Sequence, residues 1–149
     1  MIKYFAYGSN LNLERLKSRG VTVYDSEQGT LEDWRLVFNV IDETLIGAGF
    51  ANIEPCKGCK VEGLIYSISD SSIANLDKFE DHPRDYMKDY VDVIDCNGEK
   101  IKCLTYIAQK NRTQPSLMPT EEYLNHILKG REWFSEVYYQ NLLKVKKSP

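Results

Sequence analysis

Apolar and polar positions divide the chain into short runs with different periods. The segment Lys3-Tyr4-Phe5-Ala6 reads as a first strand. It breaks at Tyr7-Gly8-Ser9-Asn10 and enters a helix at about Leu11, where Leu13 and Leu16 lie three apart and Gly20 can end the helix. Trp34 to Val40 reads as a strand, and Gly47-Ala48-Gly49 as a turn or bulge leading into a strand around Ile53. Val61 to Ile68 is rich in apolar and β-branched residues, the mark of a buried strand. Asp70 is placed to cap a helix through Ile73, Leu76 and Phe79. Two β-rich runs, Tyr86 to Asp95 and Lys100 to Ala108, flank Asn97-Gly98, a strong hairpin signal. A loop with two prolines follows, from Asn111 to Pro119. Thr120 then caps a helix that Gly130 ends, and a last helix carries Trp133, Val137 and Tyr138 on one side, with Leu142 and Val145 further along. The count, about six strands and about four helices, is a mixed α+β plan. No linker, repeat or low-complexity segment interrupts it.

At 149 residues the chain is expected to form one domain, 1–149, with a real core. The formal charge is −3, and the largest basic cluster is Lys144, Lys146 and Lys147, so neither nucleic acid nor a membrane surface is expected as a partner. No apolar run has the length of a membrane span, and residues 1–20 lack a signal-peptide pattern, which points to the cytoplasm. Cys56 and Cys59 form a C-x-x-C, with Cys96 and Cys103 in the later hairpin. Zinc uses such ligands. The second pair lacks a compact knuckle spacing, so reduced structural cysteines are the expectation.

Two features carry chemistry. The first is the turn Tyr7-Gly8-Ser9-Asn10, because free amides at a strand-to-helix turn can hold a carboxylate or a developing oxyanion. The second is Glu80. On a helix starting near Asp70 it lies seven residues past Ile73 and four past Leu76, in line with the apolar stripe, while Asp81 points well away. Pro83 disfavours helical geometry at His82, so the helix should end near Glu80 or Asp81. Partial burial and the negative end of the helix dipole both raise a carboxyl pKa and suit it to acid–base work. The same position has a plainer use, as a helix-end glutamate turned to water or paired with Lys78, Arg84 or Lys88. His82 could form a dyad with Glu80, and His126 reads as an ordinary surface or core histidine.

In order along the chain, several strings resemble the γ-glutamylcyclotransferase-like family, which includes the AIG2-like proteins and γ-glutamylamine cyclotransferases. These are the opening Tyr7-Gly8-Ser9-Asn10, then Gly49-Phe50-Ala51-Asn52-Ile53 and Val61-Glu62-Gly63-Leu64-Ile65-Tyr66. Leu76-Asp77-Lys78-Phe79-Glu80 resembles the segment with the catalytic glutamate, and Pro119-Thr120-Glu121-Glu122-Tyr123 the closing motif. Tyr86-Met87-Lys88 after the glutamate looks closer to the γ-glutamylamine and AIG2-like branch.

The resemblance implies a small β-barrel with helices around it, and an enzyme that closes a γ-glutamyl group into 5-oxoproline and releases an amine or amino acid. It implies Glu80 as the catalytic acid and base, and no metal or other cofactor. The segment Tyr4, Phe5, Ala6, Tyr7, Gly8, Ser9 and Asn10 would grip the glutamyl moiety, with Tyr86 and Tyr123 as hydroxyl donors. The expected partner is a small γ-glutamyl molecule, with a homodimer allowed. A binding module on the same fold, or a hydrolase of the γ-glutamyl bond, are the other readings of the same residues.

Overall fold

The computed structural model describes all residues, 1–149. Five strands and four α-helices follow in the order β1 (Ile2–Ala6), α1 (Leu13–Ser18), β2 (Val23–Ile41), β3 (Gly49–Ile68), α2 (Ser72–Phe79), β4 (Tyr86–Ile94), β5 (Lys100–Ala108), α3 (Glu121–Leu128) and α4 (Glu136–Leu143). The strands close into a barrel in the order β1-β3-β2-β4-β5. All neighbours are antiparallel except β1 and β5, which close the barrel in parallel at Tyr4 opposite Leu104. Short 3₁₀ turns cover Ser9–Leu11, Lys110–Arg112 and Arg131–Trp133. No helix is long and apolar enough to cross a membrane.

The fold is the mixed α+β barrel expected, with five strands in place of about six. The runs around Ile53 and from Val61 are halves of one strand, β3. Pro55 and Gly58 between them look like a break in sequence, but the chain crosses the interruption as an irregularity in the ladder. Gly58 takes a positive φ and donates its N–H to the Asp33 carboxylate at 3.0 Å, and the β2–β3 register shifts between Glu32 and Trp34. Strand β2 begins at Val23, well before the predicted Trp34: its first half is polar and mostly partly exposed, which hides it from an apolar pattern, and it is held extended by pairing with β3. The last helix is also shorter than its apolar pattern. Ser135 caps α4 by accepting from the Tyr138 amide, leaving Trp133 in a separate turn. Asp70 does not cap α2; its carboxylate pairs with the Met1 amino group at 2.9 Å.

β1 sits between β3 and β5 and supplies much of the core. Tyr4, Phe5 and Ala6 are buried, as are Ile65, Tyr66 and Ile68 across the ladder. Gly63 lets these strands approach, since a Cβ there would lie 2.2 Å from the Ala6 carbonyl oxygen. Leu76 seals α2 onto the barrel, and Leu124 and Ile127 seal α3. The three outlets that matter are therefore fixed on one body: the end of β1, the end of α2 and the start of α3.

Candidate active site

Past Ala6 the chain leaves the barrel through Tyr7 and Gly8, turns through the 3₁₀ segment and re-forms as α1 at Leu13, two residues later than predicted. The side chain that caps α1 is Asn12, whose Oδ1 accepts from the Arg15 amide. Asn10 is buried and does something else. Its Nδ2 donates to the Tyr4 hydroxyl at 2.9 Å and to Glu80 Oε1 at 3.3 Å, and its Oδ1 accepts from Arg19 Nη1 at 3.0 Å. The Tyr66 hydroxyl donates to its carbonyl at 2.8 Å. The loop is thus tied to the barrel interior and to the end of α2 by one amide side chain. The N–H groups of Tyr7 and Gly8 have no hydrogen-bond partner in the protein.

Glu80 stands at the C-terminal end of α2, its own N–H bonded to Leu76 O at 2.9 Å. Its side chain is half-buried and turns into a cavity of about 160 Å³. Burial pushes its carboxyl up to about 7, against the opposing charges of Arg19 and Arg15. Neighbouring carboxylates differ. Burial would raise Asp77 as well, but hydrogen bonds from Lys88 Nζ and the Tyr106 hydroxyl hold it below the usual range. Asp81 pairs with Arg84. Glu80 makes no ion pair with Lys78, Arg84 or Lys88. His82 points elsewhere, with Nδ1 3.2 Å from Tyr86 O, so it forms no dyad with Glu80.

Tyr4, Tyr7, Gly8, Ser9 and Asn10 line the cavity with Glu80, as do Tyr86 and Tyr123. Phe5 and Ala6 do not line it: Phe5 is buried in β1 with its carbonyl accepting from the Thr105 hydroxyl, and the Ala6 carbonyl faces Gly63. The two predicted tyrosines converge on one residue of β3. Tyr86 donates its hydroxyl proton to Ala51 O at 2.7 Å, whereas the Tyr123 hydroxyl accepts from Ala51 N at 3.1 Å and keeps its proton for another acceptor. Gly8 passes just above them. A Cβ on it would come within 3.2 Å of Ala51 Cβ and 3.4 Å of the Tyr123 hydroxyl, so glycine preserves the space there.

Other lining residues escaped sequence reasoning. Arg15 lies on α1 and Arg19 directly follows its end, and their four-residue spacing, directly after the loop, was the available signal. Phe50, Phe79 and Tyr106 carry no such signal, since an aromatic residue in a strand or helix reads equally as core. Cys56 and Cys59, expected as reduced cysteines, are joined to each other, while Cys96 and Cys103 are free.

A family model described as γ-glutamyl cyclotransferase, AIG2-like, matches residues 4–125. The chain is similar to the γ-glutamylcyclotransferase of Bos taurus, 31% identical over 132 residues that cover 85% of this chain and 68% of the relative. The Homo sapiens protein of the same name is 30% identical over 148 residues, covering 95% of this chain and 77% of the relative. A solved structure of a γ-glutamyl cyclotransferase superposes with a TM-score of 0.84 at 26% identity, covering 99% of this chain and 89% of that one.

Proposed function

From the chain's membership of the AIG2-like γ-glutamyl cyclotransferase family, we propose that it cyclises a γ-glutamyl group to 5-oxoproline and releases an amine or amino acid. The substrate's α-amine attacks its own γ-carbonyl, a C–N bond forms to close the ring, and the γ C–N bond to the leaving amine breaks. The protein's work is to fold the substrate so that amine and carbonyl meet, to carry two protons from the α-nitrogen to the leaving nitrogen, and to steady the oxyanion.

Glu80 takes one proton from the α-ammonium to free the attacking amine and hands it to the leaving nitrogen. It then takes the second proton that the ring nitrogen sheds on becoming the lactam N–H and passes it on, so that the released amine departs as an ammonium. A carboxyl titrating at about 7 is divided between both forms near neutral pH, which suits a group that must be base and then acid. The observation that carries the reading is the placing of this carboxyl, held by Asn10 in the same cavity as the turn at Tyr7 and Gly8 and the Tyr123 hydroxyl. The unpaired N–H groups of Tyr7 and Gly8, with the free hydroxyl proton of Tyr123, are the donors for the glutamyl carboxylate or the oxyanion. Tyr86 acts through Ala51 and does not reach the substrate with its own proton.

The test is a product assay with γ-glutamyl amino acids, γ-glutamyl-ε-lysine and glutathione, read by mass spectrometry. The parent protein is expected to yield 5-oxoproline, and Glu80→Gln to lose about 10²- to 10⁴-fold in kcat. Free glutamate in place of 5-oxoproline would make the protein a hydrolase. Binding without turnover would make it a binding module.

A further inference from the structure

Arginines in this chain fall into two groups. Arg35, Arg84 and Arg112 each form an ion pair with a carboxylate. Arg15, Arg19 and Arg131 form none; Arg131 is exposed, over the ring of Tyr139. The other two are half-buried and line the same cavity. Of the two, Arg19 is already held, by Asn10 Oδ1 and by the face of Phe79 at 5.0 Å. It also acts on Glu80 more strongly than Arg15 does. In a substrate whose α-ammonium meets Glu80, the α-carboxylate is one carbon away, and Arg19 is the guanidinium beside it.

Arg15 lies one helical turn earlier, about 6 Å along the same face, on the side of Tyr123 and α3. Its Nη1 lies 3.2 Å from His126 Nε2, while Nδ1 of the same ring faces Asn12 Nδ2 at 3.0 Å, and a neutral imidazole accepts from only one of these two donors. Its Nε is sealed from solvent without an acceptor. Glu122 and Glu80 act on it from a distance, and neither pairs with it. A guanidinium beside a neutral histidine and lacking an anion is a carboxylate receptor without its carboxylate.

We propose that Arg15 is a specificity-determining residue, which reads a second carboxylate, the one on the α-carbon of the departing amino acid. The inference rests on the cyclotransferase reading. Charge supports it. Asp81 and Asp85, which also line the cavity, are paired with Arg84 and Arg112, guanidiniums they share with Glu43 outside it. Glu80, Arg15 and Arg19 remain, and a substrate with one ammonium and two carboxylates balances them. A γ-glutamyl alkylamide leaves one guanidinium without an anion.

The experiment compares γ-glutamyl-L-alanine with γ-glutamylethylamide, which differ by that carboxylate alone. The readout is the ratio of their kcat/KM values, which is independent of how much of each preparation is folded. The parent is expected to favour the alanine compound, Arg15→Gln to lose about tenfold to a hundredfold of that preference, and Arg15→Lys to retain part of it. An unchanged ratio in Arg15→Gln, or no preference in the parent, overturns the assignment and leaves Arg15 to the glutamyl end or to α1 alone. If neither compound yields 5-oxoproline, the cyclotransferase reading has failed. Calorimetric titration of the same two compounds onto the parent and Arg15→Gln then decides the role of Arg15 separately, and failure of both to bind the parent overturns it too.

Discussion

Glu80 is where the physics of one side chain bears on the whole chain. Its carboxyl is raised to about 7 from an ordinary 4.5, so the folded protein holds a proton that the unfolded chain has released. Below about pH 4.5 both states are protonated and the group is neutral to stability. As the pH rises toward 7 the charged form becomes a cost to the fold, complete above that value. Glu80→Gln is therefore expected to be more stable than the parent at pH 8 by about 1 to 3 kcal/mol, at about 1.4 kcal/mol per unit of pKa difference, and equal to it at pH 4. Urea unfolding at the two pH values checks this, and a variant less stable at pH 8 would mean that the carboxylate is well solvated. The direction of Glu80 was legible from its place in line with Ile73 and Leu76. What sequence could not give was its neighbours, because Asn10 donates to it across 70 residues of chain and itself holds Arg19.

Among the elements, legibility followed local chemistry. The hairpin at Asn97-Gly98 and the cap at Thr120 are written in adjacent residues, and they lie where their signals put them. The first half of β2 is polar, and its strand geometry comes from pairing with the apolar second half of β3 across the ladder. The split of the last helix depends on a contact from another element. Buried Glu62 of β3 accepts from both Ser135 N and Ser135 Oγ, at 2.7 Å each, and Lys60 approaches the same carboxylate. Ser135 thus starts α4 and satisfies a buried charge together. Ser135→Ala removes the cap for Tyr138 and one of the donors to Glu62. It should cost about 1 to 3 kcal/mol in equilibrium unfolding while leaving KM unchanged, because neither Ser135 nor α4 borders the cavity. A loss below about 0.5 kcal/mol would show that water replaces the hydroxyl on both sides.

At the scale of the molecule, the candidate site belongs to no single element. The end of β1 brings Tyr7 and Gly8, α2 brings Glu80, β3 brings Ala51, β4 brings Tyr86 and α3 brings Tyr123. Barrel closure at Tyr4 and Leu104 holds these parts together, and Ala51 links two of them through its own N–H and carbonyl. A ligand that spans the cavity should therefore stabilise all of them as a unit, since binding to the folded state alone adds about 2.7 kcal/mol at a hundredfold excess over Kd. Saturating 5-oxoproline is expected to slow amide exchange together at residues 7–10, 50–52, 80–82 and 123–126, segments far apart in sequence. The disulfide-bearing stretch at Cys56 and Cys59 lines no part of the cavity and should exchange at its original rate. Protection confined to residues 7–10 would place the ligand on the loop alone and separate it from Glu80. Protection reaching all four segments would tie the carboxyl, the loop amides and the Ala51 clamp into one binding unit, the condition that intramolecular attack within a folded substrate requires.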